Sequence, residues 1–376
     1  MTELPDLRPV WGEVDLGAVR ENARVLAALA SPAQLLAVVK ADAYGHGAIP
    51  VARAALESGA TWLGVALVEE GAMLRRDGID APILVLSEPA PAAADAVVSN
   101  RLTPVVYTPV GIDALAKAVV AAGTDDALPV HLKVDTGMHR VGCSVAEAPG
   151  LVELIAACPE LELQGVCTHL AVADEIDNAY TDQQIDTFDA LLGELDVQGV
   201  RPPLVHAANS AGLIAHPRAR YDLVRVGIAL YGVPPADALA GRVELRPVLS
   251  LRAQVSHVKD LPAGTGLSYG LRYQLPRDAR VATVPVGYAD GVPRNLGLAG
   301  GEVLIGGRRC RIAGSVTMDQ LMADVGDLDV AVGDDVVLLG RQDHEEITAA
   351  EWAEHLGTIP YEIVTGIGPR VPRRFS

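Results

Sequence analysis

The chain has 376 residues, of which half are hydrophobic and 21% are charged, and its formal net charge is −18. This composition excludes intrinsic disorder, and the length predicts two or three domains or one large barrel with an appendage. Because the basic residues form no continuous stripe, nucleic acids and anionic membrane surfaces are poor candidates for partners. No apolar run reaches the roughly 18 residues of a membrane helix, and the first residues lack the features of a signal peptide, so we expect a cytoplasmic protein.

From about residue 17 to residue 230, short apolar runs alternate with amphipathic helical stretches. Strands that are apolar throughout and alternate with helices are typical of a parallel sheet covered on both faces. Eight such strands predict a (β/α)8 barrel, and a doubly wound sheet is disfavoured because no G-x-G-x-x-G follows the first strand. The predicted strands are 34–39, 62–65, 83–86, 104–106, 129–134, 161–166, 203–205 and 223–226. The clearest predicted helices are 17–30, 49–58, 112–122 and 184–195.

After Tyr231 the sequence consists of β-branched runs separated by Gly, Pro and Asp, with little helical periodicity. This pattern is typical of a second, mainly β domain. We therefore predict a barrel domain at residues 9–240 and a β domain at residues 241–376. The opening residues 1–16 also alternate between apolar and polar positions, and they can pair with the β domain.

Only four of the 30 basic residues are lysines, and Lys40 and Lys133 each end an apolar run. An arginine keeps its proton in a protein, whereas a desolvated lysine can act as a nucleophile or a base. The simpler alternative is a lysine whose stem packs at the strand end while its amine reaches water. The segment after Lys40, ADAYGHG, favours a ligand pocket, because its glycines admit close backbone approach and Tyr44 supplies a hydroxyl. We expect Lys40 to form a Schiff base with an aldehyde cofactor, most commonly pyridoxal phosphate.

Further polar residues follow other predicted strands, at the barrel end where catalytic residues gather. Ser210, after the seventh strand, could bind the cofactor phosphate together with the backbone of Gly227 and Ile228, although a helix N-cap is its commoner role. Arg225 lies in an otherwise apolar strand. It would face the pyridine nitrogen and limit carbanion delocalisation, unless it pairs with a buried carboxylate as a structural arginine.

Nine segments resemble, in order, the signature blocks of bacterial alanine racemases, which are pyridoxal-phosphate enzymes of fold type III. The resemblance covers residues 9 to 373. It implies an N-terminal barrel, a C-terminal β domain, and a head-to-tail homodimer with two composite active sites. The segments are AVVKADAYGHG, HLKVDTGMHRVG, CTHLAVADE, HAANSAG, VRVGIALYG, LSYGLRY, VPVGYADG, TMDQ and GTIPYEIVTGIGPRVPR.

The resemblance assigns roles to individual residues. Lys40 resembles the lysine that carries the cofactor and acts as one of two catalytic bases. Tyr269, in LSYG, resembles the opposite base, which the partner subunit supplies. His169 resembles a histidine that contacts this tyrosine and the arginine matching Arg225.

The same resemblance covers the substrate and the phosphate. Arg140 resembles the residue that binds the substrate carboxylate, and Lys133 resembles a lysine that is often carbamylated and then holds this arginine. Three residues resemble those that the partner subunit contributes to the substrate pocket and its entrance: Tyr288, Met318 and Asp319. Four others resemble the ligands of the cofactor phosphate: Tyr44, Ser210, Gly227 and Ile228.

Three positions depart from the family pattern. Pro369 stands where many members have a tyrosine that touches the phosphate, so the entrance to the site is expected to be wider. His139 replaces a usual glycine beside Arg140, and Thr317 replaces a common cysteine. None of the three is one of the two bases.

The resemblance thus implies racemisation of L-alanine and D-alanine by a two-base mechanism, and it also implies that the D-alanine is used to build peptidoglycan. A racemase of serine or another small amino acid is an alternative. A decarboxylase is disfavoured by Arg225, and a non-catalytic pyridoxal-phosphate-binding protein would lack the β domain and Tyr269. A metal enzyme is disfavoured because His131, His139 and His169 have no convincing carboxylate set. The four cysteines share no C-x-x-C spacing, which predicts reduced thiols.

Overall fold

The structure is a computed structural model that describes residues 7–376. The described chain divides into two compact units. Residues 19–43 and 48–246 form one, which we call the barrel unit. Residues 7–18, 44–47 and 247–376 form the other, which we call the β unit. The first strand, β1 (Val10–Val14), belongs to the β unit.

The barrel unit contains eight parallel strands in the order β10-β2-β3-β4-β5-β6-β8-β9. Asp222 N donates to Val205 O and Arg225 N donates to Ala208 O, each at 3.0 Å, so the two end strands approach and nearly close the barrel. All eight predicted strands are confirmed, and each end lies within two residues of the prediction. The strands are β2 (Gln34–Val38), β3 (Ala60–Val65), β4 (Ile83–Val85), β5 (Thr103–Val106), β6 (Leu128–Asp135), β8 (Leu161–Cys167), β9 (Leu204–His206) and β10 (Leu223–Val226), with the short β7 (Cys143–Ser144) beside β6.

Helices connect the barrel strands, and the four predicted helical stretches are confirmed as α1, α3, α6 and α8. The best-capped example is α6, where the Thr108 side chain accepts from Gly111 N and Gly123 ends the helix at φ +64°. The helices are α1 (Leu16–Ala30), α2 (Lys40–Gly45), α3 (Ala48–Leu56), α4 (Val68–Arg76), α5 (Ala94–Ser99), α6 (Pro109–Ala122), α7 (Ala148–Ala156), α8 (Tyr180–Val197) and α9 (Ser210–Ala215). Within residues 7–376, no helix is both long and apolar enough to cross a membrane.

The β unit is built on one large sheet in the order β12-β15-β18-β17-β16-β19-β11-β1-β21, with β20 beside β19. Strand β1 pairs antiparallel with β11 and parallel with β21, and its residues alternate between buried and half-buried. A separate hairpin joins β13 to β14. The further strands are β11 (Leu249–Gln254), β12 (His257–Leu261), β13 (Gly266–Leu267), β14 (Tyr273–Gln274), β15 (Ala279–Val284), β16 (Glu302–Ile305), β17 (Arg308–Ile312), β18 (Leu321–Gly326), β19 (Asp335–Gln342), β20 (Glu345–Ile347) and β21 (Arg373–Phe375), and the helices are α10 (Leu296–Ala299), α11 (Ala349–Leu356) and α12 (Pro360–Gly366).

Candidate active site

Lys40 stands directly after β2, at the start of α2. The four residues that follow it, 41–44, all have φ between +51° and +55°. This left-handed conformation costs roughly 1–2 kcal/mol for each residue that is not glycine. Glu70 offsets part of this cost, because its Oε1 accepts from Ala41 N at 2.6 Å. Backbone strain of this kind clusters at functional sites, where the surrounding structure holds it in place.

The surroundings of Lys40 lower the pKa of its amine. Burial is the largest cause, the positive charge of Arg140 is the second, and Glu70 opposes both. A lowered pKa favours the neutral amine, and the neutral amine is the form that attacks a carbonyl or removes a proton.

Lys133, Arg140 and His169 line one small cavity in the barrel unit, together with Thr168. Lys133 is buried, and its Nζ donates to Leu86 O at 3.3 Å. Burial lowers the pKa of the Lys133 amine, and nearby cationic side chains lower it further, whereas Cys167 opposes the shift. Those cations are Arg225, Arg140 and Lys40, so all three lie close enough to act on the Lys133 amine.

The loop that carries Arg140 is held by Asp135 at its start. Asp135 Oδ1 accepts from Gly137 N at 2.9 Å and from His139 N at 3.0 Å, and Oδ2 lies 3.2 Å from His139 Nδ1. Tyr180 OH also donates to Gly137 O at 2.8 Å. His139 has φ +56°, a conformation that favours glycine. Glycine is also the usual residue at this position in the family that the chain resembles.

Arg225 is buried in β10 and makes four polar contacts. Its Nη1 lies 2.7 Å from His206 Nδ1, and its Nη2 lies 3.1 Å from His169 Nδ1. The same Nη2 donates to the carbonyls of Thr168 and Ala207, each at 2.8 Å. Within residues 7–376 these partners include no carboxylate, so pairing with a buried carboxylate is not the explanation of Arg225. Burial and the charge of Arg225 hold the pKa of His169 well below its usual range.

Ser210 lies where α9 begins, but it is not the helix cap. The cap is Asn209, whose side chain accepts from Gly212 N at 2.8 Å. The buried Ser210 Oγ instead accepts from Gly227 N at 3.0 Å and from Ala229 N at 3.3 Å. One hydroxyl and several backbone N–H groups therefore meet at this point, and such donors are typical ligands of a phosphate.

The donor set of the barrel unit fits an aromatic aldehyde that carries a phosphate. Lys40 offers an amine of lowered pKa, Arg225 offers a guanidinium held by neutral partners, and Ser210 lies with the backbone of Gly227. These are the three kinds of group that pyridoxal phosphate requires at its aldehyde, its ring nitrogen and its phosphate.

The other predicted site residues belong to the β unit. Tyr44 is buried, its ring centroid lies 6.2 Å from that of Tyr361, and burial raises its pKa to about 12. The side chains of Tyr269, Tyr288 and Met318 are exposed, with Tyr269 at 71%. Asp319 is also exposed, and Arg370 Nη2 donates to its Oδ1 at 2.8 Å.

Both parts of the chain match known families. The models for "Alanine racemase, N-terminal domain" and "Alanine racemase, C-terminal domain" match residues 14–235 and 248–375. The alanine racemase of Symbiobacterium thermophilum is 52% identical over 375 residues, covering 100% of this chain and 99% of the relative. That of a Nostoc species is 44% identical, covering 96% and 95%. The chain belongs to the alanine racemase family.

Solved alanine racemases share the fold. The enzyme of D-cycloserine-producing Streptomyces lavendulae has a TM-score of 0.93 at 41% identity, covering 100% of this chain and 98% of that chain. The Bacillus anthracis alanine racemase with bound L-Ala-P has a TM-score of 0.92 at 41% identity, covering 99% and 96%. The predicted barrel and β domain are confirmed, and the chain is an enzyme of the alanine racemase class. The alanine racemase family depends on pyridoxal 5′-phosphate.

Three residues around the site of this alanine racemase family member were not given a role by the sequence. His206 directly follows a predicted strand, and the sequence offers His131 only as a candidate metal ligand. A polar side chain inside an apolar strand is the signal that marks both of them. Glu70, 29 residues from the backbone N–H that it binds, carries no comparable signal because this contact exists only in the folded chain.

Proposed function

We propose that this chain interconverts L-alanine and D-alanine with pyridoxal phosphate, using two bases on opposite faces of Cα. One base is Lys40, and the other is Tyr269 supplied by the partner subunit of a homodimer. The observation that carries the proposal is the lowered pKa of the Lys40 amine, on a strained turn and close to Arg140. A base at Cα needs a neutral amine beside a cation that can hold the substrate carboxylate.

The barrel unit supplies the groups that would hold the cofactor. Pyridoxal phosphate, when bound, supplies the aldehyde that takes up the amino acid and withdraws electrons from its Cα. Lys40 would bind at that aldehyde, and Arg225 would face the ring nitrogen. Because a guanidinium only donates hydrogen bonds, Arg225 keeps that nitrogen unprotonated and so favours return of the proton to Cα. Ser210, Gly227 and Ile228 would bind the phosphate, and the family resemblance adds Tyr44.

Racemisation needs one group to remove the Cα proton and another to return a proton on the opposite face. When one enantiomer of alanine is the substrate, Lys40 accepts the Cα proton and Tyr269 donates a proton on the opposite face. When the other enantiomer is the substrate, the two residues exchange these roles. Arg140 binds the substrate carboxylate. A carbamylated Lys133 would hold Arg140, and burial of the Lys133 amine favours the neutral form that carbamylation requires.

We further propose a head-to-tail homodimer with composite active sites. The support is the exposure of Tyr269, Tyr288 and Met318 on the β unit, where three large side chains, with Asp319 beside them, face outward. In the dimer these residues would line the partner's substrate pocket and entrance. The product D-alanine would serve peptidoglycan synthesis in the cytoplasm.

The first test is incubation of L-alanine with the protein and pyridoxal phosphate in D₂O. We expect optical rotation to be lost while deuterium enters at Cα. Exchange with retained rotation would mean that only one base works and would contradict the two-base mechanism. No exchange with alanine, followed by exchange with L-serine, would transfer the assignment to the racemase of another small amino acid.

The second test mixes two inactive variants, Lys40→Ala and Tyr269→Phe, after joint unfolding and refolding. If the partner supplies the tyrosine, a mixed dimer contains one intact site of two, and random pairing restores about a quarter of the wild-type activity. If each chain uses its own tyrosine, every site stays defective and the mixture remains inactive. The matched control mixes Lys40→Ala with the double variant that carries both Lys40→Ala and Tyr269→Phe. This mixture should have no activity, because none of its chains contains Lys40.

A further inference from the structure

Two buried imidazoles and a half-buried glutamine continue, one after another, from Arg225. Arg225 Nη1 lies 2.7 Å from His206 Nδ1, and His206 Nε2 lies 2.7 Å from His131 Nδ1. His131 Nε2 in turn lies 3.2 Å from Gln164 Oε1. Both imidazoles are fully buried, and their ring centroids are 4.9 Å apart. We refer to Arg225, His206, His131 and Gln164 as the imidazole chain.

The direction of every hydrogen bond in the imidazole chain follows from Arg225. A guanidinium can only donate, so His206 Nδ1 must accept and His206 must carry its single proton on Nε2. That proton points at His131 Nδ1, which must also accept, so His131 carries its proton on Nε2 and donates to Gln164 Oε1. A second proton on either ring would bring two donors together. Burial agrees with this, since it lowers the pKa of His131 to about 4 and that of His206 well below its usual range.

The local backbone is shaped to seat His131. Strand β8 contains an irregularity here, because Val130 pairs with Leu163 whereas His131 pairs with Gly165. Gln164 is therefore the extra residue of a bulge, a device that redirects a side chain. A Cβ at Gly165 would lie 2.6 Å from His131 Nδ1, closer than real side chains pack, so only glycine leaves room for the ring.

We propose that His131 is a positioning residue of the reaction, which acts through His206 to keep Arg225 oriented in the site. With His131 accepting, His206 has one available tautomer, and that tautomer presents an acceptor to Arg225. Without this acceptor the His206 ring is free to carry its proton on Nδ1, where it would oppose the guanidinium. Gln164 is the last member of the imidazole chain, and its Oε1 atom accepts the proton that His131 carries on Nε2. The kinetic part of this inference rests on the proposed role of Arg225 at the cofactor ring, whereas the tautomers do not.

The decisive measurement is long-range ¹H–¹⁵N NMR of the holoenzyme labelled with ¹⁵N-histidine, with resonances assigned by single substitutions. We expect His131 and His206 to be neutral, each protonated on Nε2, and to stay so on titration across the neutral range. An imidazolium, or a proton on Nδ1 of either ring, overturns the inference. This outcome is independent of whether the enzyme racemises alanine.

Kinetics of two variants test the positioning role. In His131→Asn the Oδ1 atom can replace Nδ1 as the acceptor, whereas His131→Leu removes it. We expect His131→Leu to lower kcat about 10-fold. KM should change much less, because His131 acts through His206 and Arg225 and not on the substrate. His131→Asn should recover most of kcat.

The exposed His257, on β12 of the β unit, provides the control variant His257→Leu, which should leave kcat unchanged. A folded His131→Leu enzyme with wild-type kcat overturns the positioning role, and so does a His131→Asn enzyme as slow as His131→Leu. If His131→Leu does not fold, the kcat of His131→Asn and the tautomers observed by NMR test the positioning role instead. If the wild-type enzyme itself does not racemise alanine, the proposed function fails while the tautomer result stands.

Discussion

At the scale of single residues, Lys40 depends on a carboxylate that lies far from it in sequence. Glu70 binds three backbone N–H groups: Oε1 accepts from Ala41 at 2.6 Å, and Oε2 accepts from Ala66 at 2.8 Å and from Leu67 at 3.1 Å. These bonds tie the turn after β2 to the end of β3. Hydrogen bonds to a charged group contribute about 1.5–3 kcal/mol each, enough to offset a substantial part of the left-handed strain after Lys40.

We predict that Glu70→Gln weakens this support, because the amide presents N–H groups where the carboxylate accepts at both oxygens. The free energy of unfolding should fall by about 1–3 kcal/mol, measured by urea denaturation. Lys40 should also be less well placed, so kcat should fall. The neighbouring exposed Glu69 offers the matched control Glu69→Gln, which should change neither quantity. Equal stability and activity in the two variants would contradict the role given to Glu70.

At the scale of elements, the β13–β14 hairpin is the segment that carries Tyr269. Its connecting loop contains three residues with positive φ, namely Ser268 at +60°, Gly270 at +77° and Leu271 at +47°. The hairpin is fixed to the large sheet by Tyr273, whose hydroxyl donates to the buried Asp324 Oδ2 at 2.9 Å. Burial and Asp324 raise the pKa of Tyr273 to about 12, so this phenol stays protonated and keeps donating.

We predict that Tyr273→Phe loosens the hairpin without touching Tyr269. The change leaves one oxygen of Asp324 without its donor, which should lower the free energy of unfolding by about 1–3 kcal/mol. Because Tyr269 would be held less firmly, kcat should fall in both directions of racemisation, and proteolytic cleavage within the hairpin should become faster. Tyr107→Phe, in the barrel unit, is the control. Wild-type kcat and wild-type cleavage in Tyr273→Phe would show that the hairpin needs no such anchor.

At the scale of the whole molecule, three histidines of the barrel unit, His131, His169 and His206, set how stability responds to acid. The pKa of His131 is lowered to about 4, and those of His169 and His206 lie well below their usual range. In the unfolded chain all three have ordinary pKa values of about 6.5. Between these limits the unfolded state binds protons that the folded state does not, so stability rises with pH and is lost as pH falls.

We therefore predict that the free energy of unfolding decreases steadily from about pH 6.5 towards about pH 4, with a slope of up to about 4 kcal/mol per pH unit if all three histidines contribute. Urea unfolding at a series of pH values measures this slope. His131→Asn removes one of the three groups and should reduce the slope by about a third. A free energy of unfolding that stays constant through this pH window would be incompatible with three imidazoles that remain neutral in the folded protein.

Several features of this protein could be predicted from its amino-acid sequence because they depend on local patterns. The eight apolar strands, the change to β-branched runs after Tyr231 and the unusual positions of Lys40 and Lys133 are all visible along the chain. Periodicity reflects which faces of an element are buried, so it predicts the type and order of elements. The barrel also gathers its strand ends, which explains why Lys133, His169 and Arg225 could be expected at one place.

Other features were decided only by the tertiary structure, because they join residues that are far apart in sequence. Glu70 supports the turn after Lys40, Tyr273 bonds to Asp324, and His131 connects through His206 to Arg225 across three different strands. The bulge at Gln164 and the space left by Gly165 likewise arise from the pairing of β6 with β8. A sequence pattern records the burial of each residue, whereas the choice of hydrogen-bond partner depends on register and on which side chains the folded strands bring within reach.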